Sequence, residues 1–308
     1  MKVYDAVVIG GGPAGVTAAL YLARAGVSLA WIEKLAPGGQ VLSTEVIDNY
    51  PGFPKGIKGY ELADLFEAHL DGYEMDRYHD EVFEVQAEPG EHRIKVGEEW
   101  ITARSLAVCT GARWRKLGIE GEERFAGKGV SYCALCDGNF FRGQDVACIG
   151  GGNTALEESL YLAKMVNKIY LVHRRDCFRG DRVYQDKVMS HPKIELVLHA
   201  VPQSFIGGDE GLTGLVVQDV RTGKVKTLPV AGAFIFIGQD PEARFLPSIL
   251  NRDASGFLLT DMSMQTNIPG IFAAGDICSK ACRQVATAVG DGATAAHSIR
   301  LYLEKLNA

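Results

Sequence analysis

A chain of 308 residues, 47% hydrophobic and 23% charged, is long enough for two domains of ordinary size and has the balance of a globular protein. Its net charge of −6 gives no electrostatic reason to expect nucleic acid, and no stretch approaches the roughly 20 apolar residues of a membrane helix. Seven cysteines, at 109, 133, 136, 148, 177, 278 and 282, are an odd number spread over a long chain, which argues against a secreted disulfide framework.

The first residues, Met1-Lys2-Val3-Tyr4-Asp5, run straight into a strand pattern with no room for a signal peptide, so the cytoplasm is expected. Residues 5–9 predict a buried strand. Gly10-Gly11-Gly12-Pro13-Ala14-Gly15 follows, with Gly10, Gly12 and Gly15 in the slots of a dinucleotide fingerprint. A helical pattern runs to about Ala25, Gly26 stops it, and residues 27–32 return as a strand. The glycines permit a tight turn and close approach of backbone to a pyrophosphate, and the helix N-terminus offers unpaired N–H groups. Glu33 closes the second strand, where a carboxylate can accept from both ribose hydroxyls. The site therefore favours a dinucleotide with free adenosine ribose hydroxyls, such as FAD or NAD.

Further along, Pro37-Gly38-Gly39-Gln40 and Asn49-Tyr50-Pro51-Gly52 carry loop chemistry. Residues 108–112 resemble a strand ending in a glycine turn, a pattern that residues 233–237 and Gly238 repeat. Both are candidate crossings between domains. Between them lies Cys133-Ala134-Leu135-Cys136, a close dithiol among otherwise scattered cysteines, most of which are expected to be buried small hydrophobes.

A second unit of the same design follows. Residues 145–149 predict a strand, Gly150-Gly151-Gly152-Asn153-Thr154-Ala155 the turn, residues 156–166 a helix and residues 168–172 a strand. Where the first unit ends in a carboxylate, this one ends in His173-Arg174-Arg175, with Arg179 nearby. Arginine binds a ribose 2′-phosphate through charge-assisted bonds, whereas a carboxylate repels it, so this site favours NADP(H). The plainer alternative is that Arg174 and Arg175 are solvated surface charges. Near the C-terminus, residues 270–274 predict a strand leading into Gly275-Asp276, and a small-residue helix begins at about Arg283. If that helix packs on the first domain, the first domain is discontinuous and the second is inserted into it. A dithiol placed between two dinucleotide sites implies electrons passing from a nicotinamide, through a second cofactor, to a disulfide.

Taken in order, Gly10 to Gly15, Gly38-Gly39-Gln40, Thr110-Gly111, Cys133 to Gly138, Gly150 to Ala155, His173 to Asp176, Gly275-Asp276 and Arg283-Gln284 resemble the low-molecular-weight, two-domain thioredoxin reductases over nearly the whole chain. The resemblance implies an α/β fold of two Rossmann-like domains. The FAD domain would be residues 1–113 and 242–308, and the NADPH domain, carrying the Cys-x-x-Cys, residues 114–241. It implies that FAD lies along Gly10, Gly12, Pro13, Ala14, Gly15, Glu33, Lys34, Gly39, Gln40, Asn49, Thr110, Gly111, Gly275, Asp276, Arg283, Gln284, Val285 and Ala286. NADPH would be held by Gly150, Gly152, Asn153, Thr154, Ala155, His173, Arg174, Arg175 and Arg179. It also implies a homodimer and a thioredoxin-like dithiol protein as partner. Cys136 is then the flavin-facing thiol, Cys133 the interchange thiol, and Asp137 a general acid or base. Without the resemblance, Asp137 and Asp276 read equally as turn or cap residues.

Cys133-x2-Cys136 with His173-x3-Cys177 loosely imitates a zinc ligand set. His173 ends a strand in the nucleotide position beside two arginines, so no metal is expected. Cys278-x3-Cys282 reads as a small-residue environment rather than a second redox relay. One departure bears on the partner: Asn139-Phe140-Phe141 displaces an aromatic pair that many members place directly after Cys-Asp-Gly; a second, Leu135 in place of a commoner threonine, is minor. The rivals are a flavoprotein donor to another dithiol protein, of a peroxide-reducing or glutaredoxin-like system, a flavodoxin- or ferredoxin-type NADP reductase, a ferredoxin-driven relative, and a non-catalytic redox sensor. The dithiol argues against the NADP reductases, and the three arginines against the ferredoxin-driven form.

Overall fold

The computed structural model describes residues 2–44, 46–88 and 90–308. The chain gathers into two compact units. One comprises the residues up to Arg113 and from Asp240 onward, the other Trp114–Gln239. The second crossing of this division lies at 239/240, within the short strand Gln239–Pro241, which pairs with Ala112–Trp114, the strand at the first crossing.

The first unit is built on a sheet of seven strands. Asp76–Tyr78, Leu29–Ile32, Val3–Ile9 and Glu99–Val108 run parallel in that order. The long strand Glu99–Val108 then pairs antiparallel with His92–Val96 along its first half and parallel with Ile271–Ala273 along its second. Parallel strands are covered on both faces, which is why Val3–Ile9 and Leu29–Ile32 read as near-continuous apolar runs. Side chains alternate between two cores. Ala6 and Val8 face the helices, packing with Ala18, Leu22, Ala295 and Ile299. Val7 and Ile9 face the other way, with Leu106, Leu246, Leu258 and Ile268. The fingerprint helix is Pro13–Arg24, opened by proline at its start, where no N–H is needed. The C-terminal helix Val285–Leu306 packs on it.

Register decides where chemistry collects. Ile9 is level with Ile32 and Val108, and Val108 with Ala273. Gly10, Glu33, Cys109 and Ala274 therefore leave the sheet at one level, at the carboxyl ends where open α/β sheets bind ligands.

The second unit has a parallel sheet of five strands, in the order Val130–Ser131, Gly232–Phe236, Asp145–Gly150, Lys168–Val172, Ile194–Val197. A three-stranded antiparallel sheet joins it. Its fingerprint helix is Asn153–Leu162, shifted toward the N-terminus of the expected 156–166. The helix starts directly at the glycine turn. It stops because Met165 O accepts from Gly143 N at 2.9 Å and Asn167 N donates to Gln144 O at 2.9 Å, which takes the following backbone away from the helical pattern. Smaller differences have the same kind of cause. The strand expected from residue 27 begins at Leu29, after Val27 N closes the helix end on Leu22 O at 3.3 Å. The C-terminal helix begins at Val285, with Gln284 as its cap and Arg283 outside it.

Candidate active site

In the first unit Gly10 has φ +110°, and a Cβ there would lie 2.4 Å from Cys109 O. A Cβ on Gly15 would lie 1.9 Å from Gly10 O, so both positions are closed by the protein itself. Gly12 differs. Its φ is −72°, which any residue adopts, and a Cβ would meet no heavy atom within 4 Å among the described residues. The turn is thus open at the point where a pyrophosphate is expected. Around it, Gly38 N donates to Gly11 O at 2.7 Å, and a Cβ on Gly39 would come within 3.3 Å of Gly12 Cα. Glu33 is fixed by backbone donors, Gly11 N at 2.6 Å and Leu35 N at 2.9 Å. Its remaining lone pairs are the ones available to ribose hydroxyls. Lys34 pairs with Glu81 at 2.9 Å rather than standing as an unpaired cation.

The other expected flavin residues converge on this unit. Gln40 Nε2 donates to Ala112 O at 2.6 Å, and Thr110 Oγ1 to Glu242 O at 2.6 Å. Glu242 N donates to Gly111 O at 3.1 Å. Asn49 Nδ2 donates to Gln284 Oε1 at 3.0 Å, joining two loops far apart in sequence. Val285 packs on a small core of Val41, Ile47, Leu62 and Ala63, and Ala286 is exposed beside it. Gly275 lets the sheet end approach the fingerprint helix, since a Cβ there would lie 2.9 Å from Ala14 Cβ. Asp276 Oδ1 is buried and has no hydrogen-bond partner among the described residues. Burial raises its carboxyl above the usual range, with Lys280 and Arg283 opposing. An orphaned buried acceptor and an open glycine turn on one sheet edge fit a cofactor that brings hydroxyls and a pyrophosphate, as FAD does.

The second unit repeats the arrangement. Gly150 has φ +156°, and a Cβ there would meet Phe236 O at 2.4 Å. Gly152 has φ −94° and open space where its Cβ would be. Arg179 N and Gly180 N donate to Gly151 O at 2.7 and 3.2 Å, which holds the arginine loop against the turn. Arg174, Arg175 and Arg179 are exposed. His173 is only 7% exposed, and its Nε2 lies 3.0 Å from Cys177 O. Its ring sits so close under Gly151 that a Cβ there would clash at 2.2 Å. Burial lowers its pKa, and the Arg175 and Arg174 charges push the same way, so the ring braces the loop as a neutral group. Asn153 is engaged with Asp181, accepting from its N–H at 2.6 Å and donating to its Oδ2 at 3.0 Å. Thr154 is exposed and Ala155 buried.

Cys133 and Cys136 form a disulfide on the short helix Ala134–Asp137, and both are part-exposed. The strand before it, Val130–Ser131, brings this turn to the same carboxyl end of the sheet as the Gly150 turn, because Ser131 is level with Phe234 and Phe236 with Gly150. Cys136 N donates to Cys133 Sγ at 3.1 Å, a donor that would stabilise a thiolate on Cys133. Ser131, absent from the expected residues, ties the site together. Its Oγ donates to Asp137 Oδ2 at 2.5 Å and accepts from Cys133 N at 3.1 Å. A serine two residues before the first cysteine was the only signal, and it names no partner.

The remaining cysteines are unpaired with one another. Burial pushes Cys148 and Cys278 up to about 12 and Cys109 higher still, so they are protonated at neutral pH. Cys278 is buried whereas Cys282 is exposed. The aromatic pair also divides. Phe140 is 52% exposed, while Phe141 packs edge-on against Phe234 at 5.4 Å. No helix among the described residues is long and apolar enough to cross a membrane.

The family of pyridine nucleotide-disulphide oxidoreductases matches residues 4–292. A thioredoxin reductase of Listeria monocytogenes is 38% identical over 305 residues, covering 99% of this chain and 95% of the relative. That of Bacillus subtilis is 36% identical over 305 residues, covering 99% and 96%. A solved thioredoxin reductase of Streptococcus pyogenes superposes with a TM-score of 0.95 at 39% identity, covering 99% of each chain.

Proposed function

This chain belongs to the pyridine nucleotide-disulphide oxidoreductases, and from that premise we propose how its residues carry out thioredoxin reduction. It is an NADPH-dependent disulfide reductase of the thioredoxin reductase kind. The observation that carries this reading is the Cys133–Cys136 disulfide beside a nucleotide turn flanked by exposed arginines.

When bound, NADPH supplies a hydride and FAD converts that electron pair into a form that opens a disulfide. FAD lies in the first unit, along the Gly12 turn, Glu33 and Asp276. NADPH lies in the second, with Arg174, Arg175 and Arg179 taking its 2′-phosphate. Once the dithiol is reduced, the Cys133 thiolate attacks the partner's disulfide, forming a mixed disulfide and releasing one partner thiolate. Cys136 then attacks Cys133 Sγ, which reforms the internal disulfide and frees the second thiolate. Asp137, held by Ser131, moves the proton that the thiols must lose and the leaving thiolates gain. A carboxylate raises a neighbouring thiol's pKa, so its part is proton transfer rather than thiolate stabilisation.

The dithiol and the NADPH residues share one unit and the flavin residues occupy the other. The second unit therefore presents nicotinamide and disulfide in turn, turning at the crossings Arg113–Trp114 and Gln239–Asp240. Crosslinking the units separates flavin reduction from disulfide reduction; equal loss of both, or of neither, argues against the movement. The working form is a cytoplasmic homodimer, and the partner is a thioredoxin-like dithiol protein.

The deciding assay reads reduction of an aromatic disulfide with NADPH and NADH side by side. Turnover is expected with NADPH, only when a thioredoxin is added. A yellow protein that shows no turnover with any dithiol partner would instead be a redox sensor.

A further inference from the structure

In the first unit the loop from Gly275 to Gln284 is tied to the C-terminal helix by a polar junction that the route above uses only at Asp276. Lys280 is its centre, with a side chain 16% exposed. Its Nζ lies 2.7 Å from Asp291 Oδ2, 3.3 Å from Thr287 Oγ1 and 3.9 Å from Asp276 Oδ1. Asp291 Oδ2 also accepts from Gly275 N at 3.1 Å, so one carboxylate clamps both ends of the turn. Arg283 holds the loop from its other end, donating to Lys280 O at 3.1 Å and Cys278 O at 3.2 Å, with its guanidinium 4.2 Å from the centre of the Phe257 ring.

The distances separate two functions of the ammonium. An ammonium has three donors. Asp291 and Thr287 take two at hydrogen-bond length. Asp276 lies beyond hydrogen-bond reach, so Lys280 acts on it through charge and leaves the Oδ1 lone pairs unclaimed. A lysine any closer would occupy the acceptor, and none at all would leave the buried Asp276 carboxylate beside Asp291 with only the Arg283 charge to oppose it.

We infer that Lys280 is a positioning residue of the flavin site: anchored by Asp291 and Thr287, it supplies the charge that keeps the Asp276 carboxylate ready to accept a hydrogen bond from a hydroxyl of bound FAD. This rests on FAD occupying the first unit.

The test is a double-mutant cycle read by the FAD dissociation constant, measured from flavin fluorescence on the FAD-stripped and reconstituted chain. Lys280→Met and Asp276→Asn are each expected to weaken FAD by about 10- to 100-fold, the range for a hydrogen bond to a charged group. The double variant is expected to lose no more than about threefold beyond the worse single one, since both changes remove one interaction. Lys280→Arg restores most of the affinity. Losses that multiply in the double variant overturn the inference. Lys280→Gln is carried beside Lys280→Met. If circular dichroism finds neither folded without FAD, Lys280 belongs to the fold alone and the inference is equally overturned. A wild-type chain that binds no FAD overturns both this role and the flavin assignment, whereas FAD binding with independent losses overturns only the role of Lys280.

Discussion

The two units share a strand–turn–helix–strand design, yet they differ at the last position of the turn, and the reason lies in packing. In the first unit a Cβ on Gly15 would come within 1.9 Å of Gly10 O and 3.3 Å of Cys109 Cβ. The fingerprint helix is pressed there from behind as well, since a Cβ on Gly292 of the C-terminal helix would sit 2.3 Å from Ala14 O. In the second unit Ala155 fills the same slot, fully buried, and its methyl group contributes to the core. The same motif position is therefore a packing constraint in one unit and a packing opportunity in the other. The glycines at the ligand-facing position, Gly12 and Gly152, show the opposite behaviour, because nothing in the protein fills their Cβ space.

The largest expected effect breaks the first half of this comparison. Gly15→Ala must displace backbone, so it should destabilise the FAD-free chain by about 3 kcal/mol or more, at or beyond the upper end for overpacking. Ala155→Gly should cost only about 1 kcal/mol, the usual helix penalty. Denaturant titration of the stripped protein measures both. Equal losses would mean that the two helices are packed alike.

Next in size are Gly12→Ala and Gly152→Ala. Both backbones accept alanine, so stability without ligand should change by less than about 0.5 kcal/mol. Binding should fall by about tenfold or more, because the methyl group occupies the space of the pyrophosphate. The two losses should also be separate. Gly12→Ala purifies with little flavin, while Gly152→Ala stays yellow and raises KM for NADPH. A swap of these outcomes would exchange the ligands of the two units.

The same contrast explains what could be read from the chain. Strand, turn and helix order were legible because a glycine turn between an apolar run and a helical pattern has few other uses. The end-of-strand contrast was legible as charge, Glu33 against Arg174 and Arg175. Side-chain direction was not. Counting 23 residues from Gly150 reaches His173, which folds inward as a brace under Gly151, while the arginines after it point to solvent. Gly11 and Gly151 lie outside the fingerprint slots, yet each admits the residue that ends the second strand. Ser131, at the end of a short strand, and Asp181, at the cap of a helix, gain their roles from contacts with neighbouring loops, about which spacing carries no information.

The arginines sharpen the charge difference between the units. Arg174→Ala or Arg175→Ala should raise KM for NADPH by about 10- to 100-fold, as expected for loss of a charge-assisted contact with phosphate, and leave NADH unchanged. A parallel loss with both nucleotides would make them general surface charges. A preference for NADH in the wild type, with no effect of Arg174→Ala, would remove the NADP assignment altogether.

A last contrast separates the two buried histidines. His173 has a carbonyl partner, whereas His92 is fully buried with neither ring nitrogen hydrogen-bonded among the described residues. Burial brings His92 down to about 4, the nearby Pro269 carbonyl offsetting part of the shift. In the unfolded chain it titrates near 6.5, so the folded state is the one that refuses the proton. Its neutral form is favourable above pH 6.5, and that stability drains away as pH falls from 6.5 toward 4. The total is a few kcal/mol, at about 1.4 kcal/mol per pH unit within the window. His92→Leu replaces an unpaired polar ring by an apolar side chain, so it should hold stability near pH 7.5 and flatten the acid slope by about one proton. Urea titrations of the stripped protein at pH 7.5, 6.0 and 5.0 measure this. An unchanged slope in His92→Leu would place the acid sensitivity of the first unit elsewhere.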